Sequence, residues 1–154
     1  MAQRIKGIVG VEDAKRELNA LAKRVRTSVL RKGMTAGLAP ILAAAKSKCP
    51  VRDPDPRFKA GLLRKSLGKK VKQYANGSIV VGLVGARNGF RRVTTVGDTE
   101  YVQDPTKYDR LVEFGTRQAG PRPFLRPAGE AGKANFVQAM TEKMNEAIAQ
   151  AGKK

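Results

Sequence analysis

From Val11 to Ser47 apolar side chains recur at three- and four-residue spacing, and this long helical period is the strongest constraint on how the chain can fold. Leu18, Leu21, Val25 and Val29 mark one face, continued by Leu38, Ile41, Leu42 and Ala45. Lys15, Arg16, Lys23, Arg24 and Arg26 fall mostly on the other side. Gly33, Gly37 and Pro40 interrupt the run. Pro40 lacks a backbone donor and crowds the preceding turn, so a break or kink is expected between Arg31 and Pro40. Two consecutive helices or one bent helix both satisfy the pattern over 11–48, and Pro50 stops it.

Residues 50–66 read as an exposed loop. Their first part (PVRDPDPRFKAG) is proline-rich and charged, and its Asp-Pro repeats favour turns, as in loops that order against a partner. A β-hairpin or meander is expected over 67–96. Asn76-Gly77 is a strong hairpin signal because both residues tolerate positive φ. Ser78–Val84 (SIVVGLV) is nearly all apolar, which suggests a central strand covered on both faces. Asn88-Gly89 then precedes a candidate third antiparallel strand, Phe90–Val96. Tyr108–Phe114 suggests a short helix closed by Gly115. Pro127 suits the first position of a final helix over 127–150, with Glu130 in its first turn. Val137, Met140, Met144, Ala147 and Ile148 are the candidate buried face of that helix. The expectation is a single α+β domain over 1–154, with the N-terminal helix or helix pair and the C-terminal helix packed on a small antiparallel sheet.

The 31 Lys and Arg against 13 Asp and Glu give a formal net charge of +18, which attracts polyanions or acidic protein surfaces. Between Pro56 and Gly97 there is no acid at all. Arg64, Lys65, Lys69, Lys70, Lys72, Arg87, Arg91 and Arg92 fall in this stretch and are the candidate contacts to DNA or to an acidic partner. Only Phe58, Tyr74 and Phe90 accompany them, so reading of single strands by base stacking is unsupported. Duplex phosphate contact stays open.

No catalytic, cofactor or metal residues emerge. The chain has no histidine, so the commonest general base and any Cys/His metal cluster are lacking. Its one cysteine, Cys49, reads as a packed thiol, and a reducing cytoplasm fits such usage. Neither GxxxxGK[ST] nor GxGxxG occurs. The close carboxylate pairs Glu12-Asp13, Asp53/Asp55 and Asp98/Glu100 are explained by capping or solvation. No apolar run approaches membrane-spanning length, so a soluble product without membrane contact is expected.

The most informative run is Tyr108–Ala128. Glu113 sits at the C-terminal end of its short helix, where the dipole is negative and an acid is misplaced. It is expected to pair with Arg126 or Arg122, within a subunit or across an interface. Phe114 and Phe124 are the expected apolar anchors of the turn. Glu113, Phe114, Gly115, Thr116, Pro123, Phe124, Arg126 and Pro127 therefore form a candidate structural junction or interface.

Tyr108-x-x-Leu-Val-Glu-Phe-Gly-Thr116 followed by Pro-x-Pro-Phe-Leu-Arg-Pro-Ala128 resembles the tail-component family named after the tenth gene product of a lambdoid siphophage. Ala44-x-x-x-x-Cys-Pro-Val51 and Gly61-Leu-Leu-Arg-Lys-Ser-Leu67 extend the resemblance upstream in matching order. The Val84–Gln103 insert and the high positive charge depart from it. The resemblance implies a head–tail joining or tail-completion subunit, a non-enzymatic, hexameric ring around the DNA path in the virion neck or tail, made in the host bacterial cytoplasm. Its implied partners are copies of itself and neighbouring head-closure, tail-terminator or tail-tube proteins, with nonspecific DNA contact. The alternatives are a free-standing basic duplex-DNA-binding protein and, third, a phage-encoded nuclease.

Overall fold

Helix α1 (Val11–Lys48) runs unbroken through Gly33, Gly37 and Pro40. The computed structural model describes residues 11–75 and 79–151, with side chains from Ala22 onward, so the faces of Leu18 and Leu21 lie outside it. Of the two readings, one helix rather than two is observed, with no break between Arg31 and Pro40. Pro40 removes one rung, the bond to the Ala36 carbonyl, yet Leu38 and Ala45 on either side of it are buried and hold the helix through. The two glycines serve contact with the C-terminal helix, α4 (Leu125–Ala151), which crosses antiparallel. A Cβ on Gly37 would lie 2.9 Å from the Phe136 ring, and one on Gly132 would lie 2.8 Å from Ile41 Cγ1.

The buried stripe of α4 follows from that close approach. Ala128, Gly132 and Ala147 are buried, and Phe136, Met140 and Met144 are half-buried beside them. Val137 and Ile148, expected on this stripe, are each 56% exposed. Small residues rather than the most apolar ones mark the contact, because they let the backbones approach. The helix also starts two residues earlier than expected, so Pro127 is its third residue and Glu130 lies beyond its first turn.

The expected loop over 50–66 is corrected at its end. Leu62–Ser66 form a one-turn helix, α2, with Leu62, Leu63 and Ser66 buried. The rest of the segment is fastened within the chain. Asp55 pairs with Phe58 in an isolated bridge, and the Phe58 ring meets Tyr101 edge-on at 5.8 Å. Gln103 accepts the Lys59 N–H at 3.0 Å and donates to the Lys59 carbonyl at 3.2 Å, fastening the loop at its middle.

Strands β1 (Leu67–Tyr74) and β2 (Ile79–Ala86) form one antiparallel hairpin, from Leu67↔Ala86 to Tyr74↔Ile79. The Asn76-Gly77 turn lies outside the described residues. β2 is not a central strand covered on both faces. Helix α1 covers one side, where Gly82 abuts Leu38 and Met34. On the other side Ile79, Val81 and Leu83 are 53%, 36% and 46% exposed. The candidate third strand does exist as β3 (Arg92–Val96), but it pairs with β4 (Thr99–Gln103) in a separate two-stranded sheet. Gly97, at φ +59°, makes the turn between them.

Helix α3 (Pro105–Phe114) completes the α+β architecture. The core lies where the end of α1, the start of β1 and the start of α4 converge: Ala45, Cys49, Leu63, Leu67, Phe124 and Ala128. Val84, Tyr108 and Val112 pack around this cluster.

Candidate functional site

The junction between α3 and α4 is built from both ends. Asp104 caps α3, its Oδ1 accepting the Thr106 N–H at 3.2 Å, with Pro105 in the first position where no donor is needed. At the other end Gly115 takes φ +79°, and its N–H donates to the Leu111 carbonyl at 2.9 Å. The chain then folds tightly over this glycine, since a Cβ there would lie 2.8 Å from Pro121 N. Thr116 Oγ1 accepts the N–H groups of Gln118 and Ala119 at 3.2 and 3.0 Å, and the Arg122 N–H returns to the Val112 carbonyl at 2.8 Å.

Glu113 closes the junction. Its Oε2 accepts the backbone N–H groups of Phe124 at 2.8 Å and Leu125 at 2.9 Å, and its Oε1 accepts that of Arg126 at 3.0 Å. Pro127 has no N–H, and Ala128 donates to the Phe124 carbonyl at 3.2 Å. Every donor that the start of α4 would leave unpaired is thereby satisfied. Burial pushes the Glu113 carboxyl up, but the N–H groups of Leu125, Phe124 and Arg126 together outweigh it and hold its pKa below the usual value.

The expected ion pair is therefore corrected within the chain. Glu113 takes the Arg126 backbone, while the Arg126 guanidinium turns to Glu130 at 3.4 Å. The acid that looks misplaced at the end of α3 stands at the positive end of α4. Phe124 is fully buried as an anchor, whereas Phe114 is 74% exposed and anchors nothing in the chain. Val112 and Tyr108 occupy the inward side of α3, and Phe114 falls on the opposite one. Of the remaining junction residues, Pro123 and Thr116 are exposed and Gly115 is half-buried.

The basic candidates lie on several elements. Arg64 and Lys65 are exposed on α2, Lys70 and Lys72 on the open face of β1–β2, and Arg91 and Arg92 at the start of β3. Lys69 instead donates to the Thr35 carbonyl at 2.6 Å. Arg87 stacks over Phe90 at 4.7 Å and donates from Nε to the Ser66 carbonyl at 3.3 Å.

A cleft of about 520 Å³ opens between the 50–61 loop, α2, β4 and α3, with Leu62, Tyr108, Val102 and Val112 in its walls and Arg122 at its rim. Cys49 is buried, and burial raises its pKa against the lowering influence of Arg64. Among the described residues no group of three or more His, Cys, Asp or Glu is placed to hold a metal ion. No helix among them is long and apolar enough to cross a membrane.

The chain matches the family described as "Bacteriophage HK97-gp10, putative tail-component" over residues 12–115. That is more than half of the chain. The chain belongs to this family. The match spans α1 to the Gly115 turn, so the Pro-Phe-Leu-Arg-Pro segment and α4 lie beyond it. A family of phage tail components is structural, placing this member in the virion among other virion proteins. No curated protein and no solved structure matches the chain.

Sequence reasoning missed three elements of the site. Asp104-Pro105 carried the signal of a cap followed by a first-turn proline. Gly97-Asp98 carried a hairpin signal for β4. The Gln103–Lys59 fastening carried none, because it joins residues far apart in the chain.

Proposed function

We propose that this tail component is a tail-completion or head–tail joining subunit that assembles as a hexameric ring around the DNA path in the neck or at the tail end. The observation that carries this reading is the capped Glu113 junction, built from the Glu-Phe-Gly-Thr and Pro-Phe-Leu-Arg-Pro segments, in a chain of the tail-component family. The hydrogen bonds of the junction order the chain between α3 and α4, as a scaffold role requires. The role needs no catalysis.

Much of the positive charge then faces acidic neighbouring rings, with some near DNA. A uniformly basic lumen would hold DNA too tightly for ejection. The placement of Arg64 on α2, of Lys70 and Lys72 on β1 and of Arg91 before β3 favours several contacts over one DNA-binding groove.

Electron microscopy of the purified chain mixed with tail tubes tests the proposal. Rings, or caps on tube ends, are expected, together with weak, nonspecific DNA binding. A monomer or dimer that ignores tubes and binds duplex DNA tightly, with steep salt dependence, would instead establish the second reading, which the +18 charge favours.

A further inference from the structure

We infer that the open face of the β1–β2 hairpin docks the outward face of the β3–β4 hairpin of a second copy of this chain. The inference rests on the self-assembling role proposed above and names its contact surfaces.

The two hairpins are each two-stranded, and each exposes apolar side chains on one face. On β1–β2 the pairs Lys72↔Val81 and Tyr74↔Ile79 share the face away from α1. All four of these side chains are exposed, and Lys70 beside Leu83 extends the row. On β3–β4 one face is used internally, through Tyr101 on Phe58 and Gln103 on Lys59. The opposite face presents Val93↔Val102 and Thr95↔Glu100, with Val93 48% exposed and Val102, at the base where the hairpin borders the cleft, 46% exposed.

Charge selects the occupant. The β1–β2 face is apolar and basic, so its complement is apolar and acidic. Several acids elsewhere in the chain are engaged: Asp55 with Arg57, Asp104 and Glu113 as caps, Glu130 with Arg126. Asp98 and Glu100 are exposed at the tip of β3–β4, beside exposed valines. Asp98 and Glu100 at that tip are therefore the acidic complement of Lys70 and Lys72. Each chain carries one surface of each kind. Copies therefore link head to tail, a contact that generates a ring where the rotation between copies closes.

Sedimentation velocity of the full chain tests this with two surface variants, Lys70→Glu/Lys72→Glu and Asp98→Lys/Glu100→Lys, whose folding is checked by circular dichroism. The wild type is expected to assemble, and each variant alone to self-associate roughly tenfold or more weakly, since like charges then oppose. An equimolar mixture of the two is expected to recover assembly, because each reversed face now meets a reversed hairpin. A monomeric wild type, variants that assemble like it, or a mixture that stays apart would overturn the inference. Tube binding by the same wild-type preparation is read separately, so the virion role stands or falls on its own result.

Discussion

The backbone N–H of Arg126 donates to the Glu113 carboxylate at 3.0 Å, while the Arg126 guanidinium faces away to Glu130. One acid thus finishes α3 and begins α4, and it does so by accepting the main-chain donors at the start of α4. A charged acceptor on three converging N–H groups is stronger than an exposed ion pair.

Replacing Glu113 by Gln keeps the shape but loses the charge and turns an amide N–H toward one of the three donors. A loss of about 1–3 kcal/mol is expected, the range for a buried hydrogen-bonding group left unsatisfied. Chemical denaturation measures it, and unchanged stability would show that the cap is dispensable.

Acid should weaken the fold through the same group. The folded-state pKa of Glu113 is lowered from 4.5, so its stabilisation is present above that value and is lost as pH falls through the lower folded value. Asp55, held down to about 2 chiefly by its Arg57 hydrogen bond, acts in the same direction at lower pH. Denaturation series from pH 6 downward should therefore slope less steeply below about pH 4.5 in Glu113→Gln than in the wild type.

The two phenylalanines of the junction should part company. Phe124→Ala empties a fully buried site and is expected to cost about 3–5 kcal/mol. Phe114→Ala removes a side chain 74% exposed and should stay within about 0.5 kcal/mol of the wild type. Thermal melts of both variants decide it, and equal losses would contradict the packing.

Within α4, neighbouring glycines should respond with opposite sign. Nothing lies within 4 Å of a Cβ on Gly129, so Gly129→Ala should stabilise by up to about 1 kcal/mol through helix propensity. Gly132→Val would press on the Ile41 backbone, 3.2 Å from the added Cβ, and should cost about 1–3 kcal/mol. Melting temperatures moving the same way in both would rule out the close α1–α4 crossing.

The 50–61 loop should be held by Tyr101. An aromatic pair contributes about 0.5–1.5 kcal/mol, so Tyr101→Ala should speed tryptic cleavage after Arg57 and Lys59 by about two- to tenfold. Unaltered digestion would mean that Gln103 alone fastens the segment.

Much of the secondary structure could be read locally. The period of α1, the closure of α3 at Gly115 and the anchoring by Phe124 depend on residues a few positions apart or on plain hydropathy. The errors share a cause as well. Pro40 and Gly37 are breakers by propensity, yet Phe136 and the neighbouring core hold the helix through them. Val137 is more apolar than Gly132, yet Gly132 faces α1 because contact there is made backbone to backbone.

By itself the sequence determined the α+β class, the order of most elements and, through Glu-Phe-Gly-Thr and its companions, the tail-component family. Helical period and turn chemistry act between near neighbours, which is why they survive in one dimension. Only the tertiary structure decided that Glu113 serves main-chain donors eleven to thirteen residues on, and that Phe114 points outward. It alone split the expected meander into two hairpins, each exposing apolar side chains on one face. Those outcomes depend on which surfaces meet, and a strand's pattern states that a face is apolar without stating what will cover it.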